Sequence, residues 1–178
     1  MKIKRGFTLI ELLIVIAVLG VLTAAVLVAL DPAEQLARTR DSSRVTSISD
    51  LGKATAAYYV NQSAYPTADT TWITTLINAG ELKTGPTNQS YSSGDAGCTV
   101  GFNQNNFCYN MSSSGNGDAV VYAKLESKSQ KSKGTTFCND SGTPVANRVR
   151  YFVWAASQNR AGVTCSEPGL PFALSFIP

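Results

Sequence analysis

Histidine is absent from all 178 residues of the chain, so the usual side-chain general base for chemistry near neutral pH is missing. The acidic residues are scattered, and neither a glycine-rich phosphate loop nor a nucleophile elbow is present. Catalysis is left without support, and no catalytic or cofactor-binding residue is expected. The four cysteines, Cys98, Cys108, Cys138 and Cys165, contain no C-x-x-C pair. With no histidine to complete a mixed zinc site, no metal site is expected either. No internal repeat and no linker divides the sequence, and its length leaves room for one modest globular domain.

Charge is concentrated where it is least expected. Lys2, Lys4 and Arg5 stand immediately before an apolar run from Phe7 to Leu30, in which Glu11 is the only ionisable side chain. At ~1.5 Å per residue this run makes a helix of roughly 36 Å, enough to cross a hydrocarbon core of roughly 30 Å with modest tilt. A carboxylate inside such a span costs on the order of 2.5–3.5 kcal/mol at the helix centre and less near an end. The apolar side chains can still insert it, but Glu11 should prefer a positive partner. A secretory signal peptide also begins with basic residues, yet its apolar region is only ~7–15 residues long. A plain single-span anchor fits the length but gives no reason for Glu11 or for Gly6 at the boundary. A buried core helix of a soluble domain is at odds with so long an unbroken run.

Basic residues lie on both sides of the span, with Arg38, Arg40 and Arg44 following it, so charge alone leaves the orientation open. The cysteines all lie beyond the span. An even set in a Ser-, Asn- and Gly-rich region reads as disulfides formed in an oxidising compartment, which places the C-terminal part outside the cytoplasm. Of the three pairings that four cysteines allow, Cys98–Cys108 with Cys138–Cys165 is preferred, because each bridge closes a loop local in sequence.

The basic leader, Gly6, and then Phe7-Thr8-Leu9-Ile10-Glu11 resemble the cleavage and assembly signature of type IV pilins and of the related pseudopilins of type II secretion. The resemblance is strongest over residues 1–30. It implies that a membrane-bound prepilin peptidase and methylase cuts between Gly6 and Phe7 and methylates the new amino group of Phe7. Phe7, Thr8 and Glu11 would then serve assembly, the Glu11 carboxylate pairing with the N-terminal amine of a neighbouring subunit. The partners implied are copies of the chain in a helical filament, an inner-membrane assembly platform and, before assembly, the membrane. The destination implied is an extracellular pilus or a periplasmic pseudopilus. Many pilins carry a helix-disturbing proline near the middle of this segment; the stretch around Val28 here has none.

After Leu30 the pattern turns amphipathic. Asp31 can cap a new helical segment with Pro32 at its first position, or the helix can run through and kink at Pro32. From Ala33 to about Asn61, the residues Leu36, Val45, Ile48, Leu51, Thr55 and Tyr58 recur at mostly helical spacing, with Arg38, Arg40, Asp41, Arg44, Asp50 and Lys53 at other positions. Arg38 and Arg44 can form surface pairs with Asp41 or Glu34, worth well under ~1 kcal/mol. Tyr65-Pro66, the segment Trp72 to Ala79, Gly80 and Pro86 follow an order similar to that of pseudopilins and several short pilins. Pro66 is expected to hold Tyr65 extended and stop the helix. Trp72, Ile73, Leu76 and Ile77 form one side of a short helix that Gly80 can cap.

Strands follow. Phe107 to Met111 and Ala119 to Glu126 flank a turn at Asn116-Gly117 and read as a hairpin, and Arg148 to Ala156 alternates as a third strand. Three or four antiparallel strands are expected, one face on the long helix and the other toward solvent or a neighbour. The tail from Cys165 reads as an irregular segment that packs back and adds at most a short edge strand. Lys124, Lys128, Lys131 and Lys133 raise nucleic acid as a partner, but Glu126 interrupts them and no aromatic is interleaved, so a solvated strand end and loop is favoured. The expected fold is α+β. It comprises a leader at 1–6, a membrane and filament-core helix at 7–30, an amphipathic helix half at 31–61, and a globular head at 62–178 with an antiparallel sheet and disulfides. The resemblance implies a lollipop of long helix and head.

Overall fold

A run of apolar residues without proline begins at Leu9, and α1 spans Leu9–Leu30. The computed structural model describes residues 6–92, 98–112, 117–140, 143–144, 149–168 and 176–177. Asp31 ends α1 in the left-handed conformation, φ 39°, and α2 (Pro32–Gln62) starts at once. The Glu34 N–H donates to Asp31 Oδ1 at 3.3 Å, so Asp31 caps the new helix and Pro32 takes the first position, where its missing N–H costs nothing. Residues 9–62 therefore form two helices rather than one kinked helix. The chain divides into two compact units, Met1–Leu36 and Ala37–Pro178.

In the second unit, α2 turns one stripe inward. Ala37, Asp41, Arg44, Ile48, Leu51, Gly52 and Thr55 are buried, at steps of three and four residues, whereas Leu36 is exposed. Two charged residues thus occupy the stripe that the sequence pattern reserved for apolar ones. The helix ends at Gln62, three residues before Tyr65. Ser63 at φ 54° closes it by donating its N–H to Tyr59 O at 2.8 Å, and Tyr65 stacks on Tyr59 with ring centroids 4.5 Å apart. Helix α3 (Trp72–Asn78) buries Trp72, Ile73 and Leu76. Gly80, φ 81°, terminates it: its N–H reaches Ile77 O and that of Glu81 reaches Leu76 O, both at 3.0 Å, the paired bonds of a Schellman motif.

The sheet has five antiparallel strands in the order β1 (Phe102–Gln104), β2 (Phe107–Met111), β3 (Ala119–Leu125), β6 (Arg150–Ala155), β7 (Arg160–Thr164). A separate pair joins β4 (Asn139–Asp140) to β5 (Thr143–Pro144). The expected hairpin is β2–β3, in register Cys108 opposite Tyr122 through Met111 opposite Ala119; Asn116 of its turn lies outside the described residues. Strand β1 is too short, and β7 too weakly patterned, to stand out in the sequence, and they raise the count to five.

Alternation on β3 and β6 gives each face its own core. Ala119, Val121, Ala123, Phe152 and Trp154 meet Ile48, Leu51 and Ala54 of α2 and Trp72, Ile73 and Leu76 of α3. Val120, Tyr122, Val153 and Ala155 gather with Cys108, against which Cys98, Tyr151 and Phe176 pack. The second face is thus covered by the chain itself instead of meeting solvent. Part of that cover is the tail, where Ile177 forms a single bridge to Val163; residues 169–175 lie outside the described set.

Lys128–Phe137 forms a helix, α4, where a loop was expected. Ser127 starts it, its backbone oxygen accepting from the Lys131 N–H at 3.0 Å. Disulfides join Cys98 to Cys108 and Cys138 to Cys165, with Cα separations of 5.6 Å and 5.4 Å.

Candidate assembly site at the N-terminus

The chain reaches α1 through Gly6, Phe7 and Thr8, all exposed, so the Gly6–Phe7 bond lies ahead of the first helical residue, Leu9. Thr8 is the N-cap. Its Oγ1 accepts from the Glu11 N–H at 3.3 Å, while the Glu11 carboxylate reaches back to accept from the Thr8 N–H at 2.9 Å and the Thr8 hydroxyl at 2.7 Å. This is a capping box, which satisfies two of the N–H groups that a helix start leaves orphaned. The T-x-x-E spacing that produces it stands in the sequence at Thr8 and Glu11, and the sequence reading passed over it.

Both bonds from Thr8 end on Oε2, so Oε1 carries no hydrogen bond among the described residues. Thr8 thereby fixes the side chain of Glu11 and leaves half of its carboxylate for a further donor. From Leu9 onward the described side chains of α1 are exposed along its whole length, Leu9 at 82% among them, and Phe7 ahead of the helix is 85% exposed. Among the described residues, Leu9–Leu27 is the one helix long and apolar enough to cross a membrane, with mean hydropathy 2.8. It is a surface that requires lipid or other apolar helices around it.

Residues 1–27 match the family model of the prokaryotic N-terminal methylation motif. This segment is a type IV prepilin or pseudopilin leader signature. The match covers the leader and most of α1. No curated protein and no solved structure matches the chain. With the apolar helix, the second helix and the five-stranded sheet, the layout is α+β and pilin-like, and the motif supports a type IV pilin-like or pseudopilin subunit. The motif points to a structural rather than an enzymatic protein, and with the apolar helix it fits a membrane-anchored precursor.

The head holds a second polar constellation, one the sequence reading placed on the surface. The Arg44 side chain is fully buried, its Nη1 3.0 Å from both Asp41 Oδ1 and Glu126 Oε1, and its Nη2 donates to Ser90 O at 2.9 Å. Its guanidinium lies 3.8 Å from the centre of the Tyr91 ring. Arg40 adds a 2.6 Å contact to the same Glu126 oxygen, and the Ser92 N–H donates to Glu126 Oε2 at 2.8 Å. Asp41 accepts from the N–H groups of Glu126 and Ser127, each at 2.9 Å. Burial alone raises the Glu126 pKa, but the Ser92 N–H, Arg40, the Ser92 hydroxyl and Arg44 overcome it and hold the carboxyl at about 2. Tyr91 moves the other way, burial pushing its phenol up to about 12. Arg44 Nε and the Tyr91 hydroxyl are buried without a hydrogen-bond partner among the described residues, while the ion pairs and backbone hydrogen bonds of the cluster tie α2 to the β3–α4 junction.

Glu126 is therefore not a break in an exposed basic stretch. It faces inward, while Lys124 lies within β3 and Lys128, Lys131 and Lys133 belong to α4. Among the described residues, no group of His, Cys, Asp and Glu is arranged to hold a metal ion.

Proposed function

We propose that this chain is the structural subunit of a type IV pilus-like filament, cut between Gly6 and Phe7, methylated on Phe7 and assembled through residues 7–30. The observation that carries the reading is the Glu11 carboxylate, tethered by Thr8 through Oε2 with Oε1 open, on a helix otherwise apolar and exposed. An ionised carboxylate among packed apolar helices needs a positive partner, and the amine that cleavage frees at Phe7 of a neighbouring copy is one of matching size and charge. Before assembly the same helix serves as the membrane anchor, with prepilin peptidase and an inner-membrane assembly platform as partners.

Two measurements test it. The N-terminal mass of the protein from cells should begin at methylated Phe7; a start near Ala25 would mean a conventional signal peptide, and an intact Met1 a plain anchor. Glu11→Ala should still be inserted and cleaved, yet enter filaments poorly, because the neighbour's amine is then buried unpaired at a cost of about 3–5 kcal/mol per subunit. Filaments of the variant at normal yield would refute the role. Electron microscopy of the cell surface separates a long external pilus from a short periplasmic pseudopilus.

A further inference from the structure

Residues 84–117 hold one charged side chain, Asp95, in a chain with 15 basic and 12 acidic residues, and they hold eight Asn and Gln. The fold gathers several of these amides at the β1 edge of the sheet. Asn105 and Asn106 form the β1–β2 turn at φ 54° and 64°, the left-handed region that Asn tolerates better than most residues. Asn106 Nδ2 donates to Asn88 Oδ1 at 2.6 Å, Asn105 Nδ2 to Pro86 O at 3.1 Å, and Gln104 Nε2 to Thr74 Oγ1 at 2.8 Å. Two residues before Gln104 on the same strand, Phe102 is 42% exposed. Strand β1 has no neighbour on its outer side among the described residues.

We propose that this edge is a binding surface for a neutral polysaccharide. Sugar hydroxyls donate and accept at once, and so do Asn, Gln and Thr side chains. Here those side chains are already held in place, by one another and by the backbone of Ile73, Pro86 and Gln89, so binding freezes few rotors. The exposed Phe102 ring supplies an apolar face for the C–H side of a sugar ring. No member of this constellation is charged, which removes the attraction an anionic polymer or nucleic acid would need. Two exposed apolar side chains, Val100 and Phe102, make too small a patch for the anchored core of a protein interface. The inference is independent of the filament reading, since it concerns the head alone.

The test passes the full chain, solubilised in a zwitterionic detergent free of sugar headgroups, over mannan, cellulose, dextran and heparin resins. Retention on at least one neutral resin is expected, unchanged from about 50 to about 500 mM salt, because no ion pair is there to screen. Phe102→Ala and Asn105→Gly should each weaken it about tenfold. The glycine keeps the left-handed turn while removing the amide, so an unchanged melting curve shows that the fold is intact. Passage through all three neutral resins, retention that falls with salt as on heparin, or indifference to both substitutions would overturn the proposal. So would variants that change only the self-association of the chain.

Discussion

Arg44 shows how much one residue decides. It sits on the inward stripe of α2 between Ala37 and Ile48, where it pairs with two carboxylates and a carbonyl. Such a buried group adds little net stability but specifies which segments meet, since losing one partner leaves the other charge uncompensated. Glu126 makes the arrangement pH-dependent. Its folded pKa of about 2 lies below the ordinary 4.5, so its contribution is complete above about pH 4.5 and lost as pH falls toward 2. The denaturant midpoint of the detergent-solubilised chain should therefore drop between about pH 5 and about pH 2.5. In Glu126→Gln the midpoint should be lower at neutral pH and the drop shallower; equal slopes in the two proteins would remove Glu126 from the account.

At the scale of elements, the decisive contact is α2 against β6. Gly52 is buried where the Trp154 ring lies on the helix, and a β-carbon there would overlap the indole. Gly52→Ala gains helix propensity of up to ~1 kcal/mol. It should nevertheless lose about 1–3 kcal/mol overall through overpacking, since the buried Trp154 ring or the helix must shift to admit the methyl group. Thermal or urea denaturation reads the balance, and a stabilised variant would mean that α2 and β6 are not in this contact. Helix ends elsewhere follow local rules: Asp31, Ser63 and Gly80 each adopt a positive φ and each closes a helix.

For the molecule as a whole, the two disulfides act on the unfolded chain. They enclose sequence separations of 10 and 27 residues. On the loop-entropy relation, these correspond to about 2.7 kcal/mol for Cys98–Cys108 and about 3.5 kcal/mol for Cys138–Cys165. Replacing Cys138 and Cys165 together by Ala should lower the stability of the head by about that amount while leaving membrane insertion of α1 unchanged, because the apolar span is a separate unit. Differential denaturation with and without reductant, set beside membrane fractionation, checks both halves. Loss of insertion in the variant would mean that the two units do not behave independently. The same separation lets α1 satisfy the demands of lipid while the head obeys those of water.

Features carried by neighbouring residues were legible in the chain alone: the apolar span with its single acid, Asp31-Pro32, the short helix closed at Gly80, and the alternating strands β2, β3 and β6. In each of these the periodicity or the capping chemistry is complete within a few residues. What only the tertiary structure decided were the matters that need distant segments to meet. Arg44 finds Glu126 across 82 residues, the sheet's second face is covered by the Cys98–Cys108 bridge and Phe176, and three-residue β1 becomes a strand only because β2 turns back on it. A local pattern states which face of an element is turned inward, but the partner waiting there is chosen by packing and charge, and neither is written in the spacing of the residues that need it.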